Sequence, residues 1–71
     1  MSTTEFPIHA RAIITVLGMA VELVLAERPG TPQPFVTWIR NPHTGDYVWG
    51  HYFRTLEEAR KDFAERLASY A

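Results

Sequence analysis

The sequence predicts an α+β fold: a four-stranded antiparallel sheet built from two hairpins, with one C-terminal helix packed on one face, in the order β-β-β-β-α. Three observations predict it. Residues 8–26 form an apolar run rich in β-branched residues and broken by Gly18. Two aromatic-rich segments, "FVTWIR" and "DYVWGHYF", flank the turn signal "NPHTG". Thr55-Leu56-Glu57-Glu58 then opens a segment of helical period with the spacing of a capping box.

Residues 1–7, "MSTTEFP", form a loose lead-in to a single domain over 1–71. In the next run Ile8, Ala10, Ala12, Ile14 and Val16 share one strand face, and Met19, Val21, Leu23 and Leu25 alternate after Gly18. A helix over residues 9–27 is the competing assignment, giving α-β-β-α. The β-branched residues Ile13, Ile14, Thr15, Val16, Val21 and Val24 weigh against it. So does Gly18, which costs about 1 kcal/mol inside a helix and serves well in a tight turn. "RPGTPQP" holds three prolines and a glycine and makes a connection.

The second hairpin turns through Pro42 and Gly45, with its register open. A five-residue loop sets Arg40 opposite Asp46, whereas a four-residue loop sets Trp38 opposite Trp49. A slip of one residue exchanges the faces, so either tryptophan can occupy the core. In the final helix Leu56, Ala59, Phe63, Leu67 and Tyr70 fall on one face, and Glu58, Asp62, Glu65 and Ser69 form the opposite, solvated stripe. Glu57–Lys61 and Asp62–Arg66 are expected i,i+4 pairs.

Composition excludes several function classes. Without cysteine there is neither a disulfide framework nor a thiolate metal site. A chain of 71 residues buries only about 60% of its unfolded surface, so packing must supply the stability. Seven Lys and Arg against eight Asp and Glu give no global pull toward nucleic acid or anionic lipid. The apolar run Ala12–Ala26 is shorter than the roughly 20 residues of a membrane span and contains Glu22. With no signal-peptide pattern ahead of it, a cytoplasmic location is expected.

No catalytic residues are assigned. His9, His43 and His51 lack chelating spacing, which leaves a His43–Asp46–His51 metal site without support. Ser2 and Ser69 lie near the termini, and no phosphate-binding glycine motif occurs. A non-enzymatic chain with no cofactor and no metal follows as the expectation.

Trp38, Tyr47, Trp49, Tyr52 and Phe53, with Arg40 and Arg54 nearby, have the composition of an interface core and rim. One helix on a single-layer sheet would leave the second face uncovered for a partner or a homodimer contact. Trp38, Trp49 and Tyr52 are the candidate anchors. Arg40, Arg54, His51, Glu58, Asp62 and Glu65 form the candidate rim. The same aromatics on a sheet make a single-stranded nucleic-acid platform the alternative, and a purely structural homodimer a third possibility.

The segment "FVTW…DYVWGHYFRTLEEARKDFAERL", residues 35–67, resembles a group of small uncharacterised bacterial and phage-associated proteins in which a W-G-H-Y-F strand runs into an LEEA helix. In size, absence of cysteine and sheet-plus-helix plan, the chain is also similar to some anti-CRISPR proteins. That similarity implies a phage or mobile-element inhibitor that binds a host CRISPR effector complex and occludes it.

Overall fold

The computed structural model describes residues 6–70. Residues 1–5 of the expected lead-in lie outside them. Four strands, β1 (Ile8–Val16), β2 (Met19–Glu27), β3 (Phe35–Arg40) and β4 (Tyr47–Phe53), precede one helix, α1 (Leu56–Ser69). They form one antiparallel meander in the order β1-β2-β3-β4, with the helix against β2, β3 and β4. This is the expected β-β-β-β-α plan, and the helical alternative for residues 9–27 is overturned. The reason is local: Gly18 closes a two-residue turn, and the β-branched residues on both sides extend into paired strands.

Leu17 and Gly18 have φ of 52° and 81°, so both central residues of that turn are left-handed. This is the type I′ geometry whose twist matches a two-residue hairpin. Val16 and Met19 close the turn, and Ala10–Val16 run in unbroken register with Leu25–Met19. A bulge at His9 then brings Ile8 opposite Ala26. The "RPGTPQP" connection closes with Arg28 N–H donating to the Pro34 carbonyl at 2.6 Å.

The central strands are buried on both faces. Leu23, Val24, Leu25 and Ala26 of β2 are all buried, as are Val36, Thr37, Trp38 and Ile39 of β3. On the helix side, Ile14, Val21, Leu23 and Ile39 form one cluster, completed by Val16, Phe63 and Tyr70. On the other side, Val24, Ala26, Val36 and Trp38 form a second cluster with Phe6. The second face is therefore not bare, as a single-layer plan suggested. Its own aromatic side chains cover it.

The helix begins as the capping box predicts. Thr55 is extended at φ −123° and its hydroxyl accepts from the Glu58 amide at 3.1 Å. The Thr55 hydroxyl in turn donates to Glu58 Oε1 at 3.2 Å, so the glutamate closes the box on the hydroxyl and not on the Thr55 amide. Ala59 is fully buried, and Leu56, Phe63 and Tyr70 are half-buried beside it. Leu67, at the margin of the same face, stays exposed. Among the described residues no helix is long and apolar enough to cross a membrane.

Leu17 is a poor occupant of its turn, since its side chain is 97% exposed in a conformation that disfavours a branched residue. Leu17→Asn, which tolerates left-handed φ, is expected to raise stability by about 1 kcal/mol. A shift of the urea midpoint at unchanged slope is the measurement that checks it.

Candidate functional site

Two regions, built on β3, β4 and the facing side of α1, hold most of the residues singled out from sequence. One is a polar tie between sheet and helix, and the other is the aromatic face with its edge.

Near the turn, the second hairpin adopts the four-residue-loop register, with Arg40 opposite Tyr47 and Ile39 opposite Val48. Asn41 N–H donates to the Asp46 carbonyl at 2.9 Å and closes the loop, with Gly45 left-handed at φ 80°. Arg40 consequently does not pair with Asp46. Its guanidinium reaches Glu22 across β2 at 3.2 Å. Further along, Thr37 faces His51, so Trp49 and Gly50 together oppose Trp38. That extra residue is a β-bulge on the edge strand.

The bulge decides the faces. In uninterrupted alternation, Tyr47 and Tyr52 would point to opposite sides, being an odd number of residues apart. With one extra residue between them, both lie on the face away from the helix and flank Trp38. Their ring centroids lie 4.4 Å (Tyr47) and 6.4 Å (Tyr52) from that of Trp38, and Phe6 stands at 6.1 Å. Arg28 lies over the Tyr52 ring at 5.6 Å, a cation–π arrangement. Gly50 makes room for this: a Cβ there would come within 3.0 Å of the Tyr52 ring and hydroxyl.

The two tryptophans, interchangeable in sequence, have opposite fates. Trp38 is the centre of the aromatic cover, only 9% exposed, and its indole Nε1 has no hydrogen-bond partner among the described residues. As an anchor it is unavailable without rearrangement of Tyr47, Tyr52 or Phe6. Trp49 is 58% exposed and left-handed at φ 58°, a conformation that costs an ordinary side chain about 1–2 kcal/mol. Tyr52, against Trp38 on the face away from the helix, keeps 41% of its surface exposed.

On the helix side, the alternation that resumes after the bulge turns His51 inward. His51 Nδ1 lies 3.1 and 3.2 Å from the two carboxylate oxygens of Asp62. An ionised carboxylate only accepts, so Nδ1 carries the proton. The fully buried Thr37 hydroxyl donates to Asp62 at 2.5 Å and accepts from Arg66 Nη1 at 3.1 Å. Arg66 also donates to the Thr37 carbonyl at 3.0 Å. Asp62 is thus removed from the solvated stripe, and the expected Asp62–Arg66 pair gives way to two ties onto one threonine. The apolar stripe of α1 is interrupted by a polar pair that reaches β3, which helical period alone could not reveal.

A histidine, a carboxylate and a hydroxyl in sequence look like a proton relay, but Thr37 has both hydroxyl functions occupied inside the fold. It offers no accessible nucleophile. Glu58 and Glu65, with Lys61, Asp62 and Phe53, line a shallow depression beside the helix. Arg54 is exposed just before Thr55. Among the described residues no three His, Asp or Glu side chains converge on a possible metal position. His43 sits in the loop, its amide bonded to Asn41 Oδ1 at 2.8 Å.

Removing Asp62 would strip the buried Thr37 hydroxyl of its acceptor and leave His51 without its carboxylate. Asp62→Ala is expected to cost about 2–3 kcal/mol. In a double-mutant cycle, His51→Ala should recover only part of that loss, because Thr37 shares the same carboxylate. Trp38→Ala is expected to cost about 3–5 kcal/mol by cavity formation in the aromatic cover. Chemical denaturation followed by far-ultraviolet circular dichroism measures all three. Comparison of the chain with models of known protein families, with curated proteins and with solved structures finds no match.

Proposed function

We propose that the chain is a non-enzymatic protein-binding module that anchors a partner through Trp49 and Tyr52 at the β4 edge. The single observation that supports this is the placement of Trp49. It is the extra residue of a bulge, left-handed and exposed. Without it, Gly50 would stand opposite Trp38 in a regular ladder, and every other residue of β4 would keep its face. The fold gains nothing visible from a tryptophan there and loses backbone energy by holding one. An exposed indole and a half-exposed tyrosine on one edge strand have the composition of a binding hot spot.

The mechanism is occlusion: the indole seats in a pocket of the partner, and Arg54 and the exposed helix acids Glu58 and Glu65 set orientation and rate of encounter. In its most concrete form the module is a phage or mobile-element inhibitor that covers the working surface of a host nuclease complex. Resemblance in size and plan to anti-CRISPR proteins supplies that form. A second reading rests on charge. Among the described residues, Arg11, Arg28 and Arg40 lie on the aromatic face against one acid, Glu22, which is paired with Arg40. Such a face suits stacking of single-stranded bases.

Trp49→Gly separates binding from folding. The variant should be as stable as the parent or up to about 1 kcal/mol more stable. It should lose captured partner by on the order of 30-fold or more in affinity. The comparison is affinity capture from host extract with both proteins, followed by titration of the recovered partner. Equal capture by both would sink the proposal. The nucleic-acid reading requires tryptophan quenching by short oligonucleotides at low salt, fading steeply as salt rises.

A further inference from the structure

We propose that β1 is a self-association edge, through which two copies join antiparallel and merge their sheets into one of eight strands. This lies at the opposite side of the sheet from Trp49 and is independent of the partner site.

The two sheet edges are built differently. The bulge at Trp49–Gly50 breaks the outer ladder of β4, a usual device against strand addition. β1 has no such guard along Ala10–Val16, where it holds regular register with β2. That segment contains no proline and no lysine, and Arg11 is its one charge. Its most exposed apolar residue, Ile13, is 68% exposed.

The turn fixes which backbone groups are free. In a two-residue hairpin the closing pair, here Val16 and Met19, exchanges both of its hydrogen bonds. Alternation then assigns Ile14, Ala12 and Ala10 to bonded pairs with β2. The N–H and C=O groups of Arg11, Ile13 and Thr15 point outward, where no strand among the described residues pairs with them.

A second copy satisfies them in one register. The regular segment 10–16 is centred on Ile13. A two-fold axis through that residue pairs Ile13 with Ile13 of the other copy and Arg11 with its Thr15. All three outward pairs are then used, giving about six N–H···O bonds. The side chains agree with this register. On the helix side Ala10 meets Val16 and Ala12 meets Ile14, small against large. On the other side the two isoleucines cover each other, and no like charges face across the seam. A register centred on Arg11 would place the two guanidiniums opposite each other. One centred on Ala12 or Ile14 would carry bonding beyond the regular segment.

Sedimentation velocity and light scattering over a dilution series test this. The parent chain should dimerise reversibly. Thr15→Pro removes an outward donor from each copy and leaves the β1–β2 ladder intact, so it should weaken dimerisation by on the order of 30-fold. Thr15→Glu faces Arg11 of the other copy and should tighten the dimer by roughly three- to ten-fold, while Thr15→Arg should weaken it similarly. These exposed changes keep the test valid if the proline variant fails to fold. A parent that stays monomeric to its solubility limit would overturn the proposal, as would a dimer indifferent to the Glu and Arg substitutions.

Discussion

The structure depends on one constraint: β2 and β3 are apolar on both faces, while a single helix can cover only one. A chain of this size has no second layer to spend, and without cysteine it has no cross-link to offset the exposure. The solution is to cluster aromatic rings over the uncovered side. Trp38, held between Tyr47, Tyr52 and Phe6, is the keystone of that cover, and its cost is an indole N–H buried without a partner among the described residues. At the usual penalty of about 1–3 kcal/mol, that loss is outweighed by burial of so large a ring.

The bulge in β4 follows from the same constraint. Covering Trp38 from both sides needs two rings from one strand on one face. Tyr47 and Tyr52 stand an odd number of positions apart, and the bulge at Trp49 absorbs the odd residue so that both keep that face. The same step brings His51 to the helix side, where it meets Asp62. One local irregularity thus connects the aromatic cover to the polar tie that fixes α1 at Thr37. An apolar interface alone would let a 14-residue helix slide or rotate by a side chain at little cost. Three hydrogen bonds between two helix side chains and a fully buried threonine remove that freedom.

Much of the fold was legible in the sequence for identifiable reasons. The capping box at Thr55 and Glu58 is a short-range chemical signal, and it formed with its spacing intact. The strand assignment for residues 8–26 rested on β-branching and on Gly18, both of which act locally. What stayed hidden was decided between elements. Neither tryptophan carries a mark of its burial, because the face of each depends on a register that one extra residue resets. Asp62 fitted the solvated stripe by period, and only the position of Thr37 across the interface draws it inward. The uncovered face was inferred from counting layers, which cannot register side chains that fold back over their own sheet.

The meander order has a kinetic consequence. Successive strands are joined by loops of two, seven and six residues, and the helix follows β4 after two more. Each pairing therefore closes a short loop, which keeps the entropy of every step small and favours rapid folding. A chain of marginal stability that refolds quickly opens often and recloses before a protease can act on it. Its survival among proteases is then set by how much of the chain is open at equilibrium, rather than by how slowly it opens.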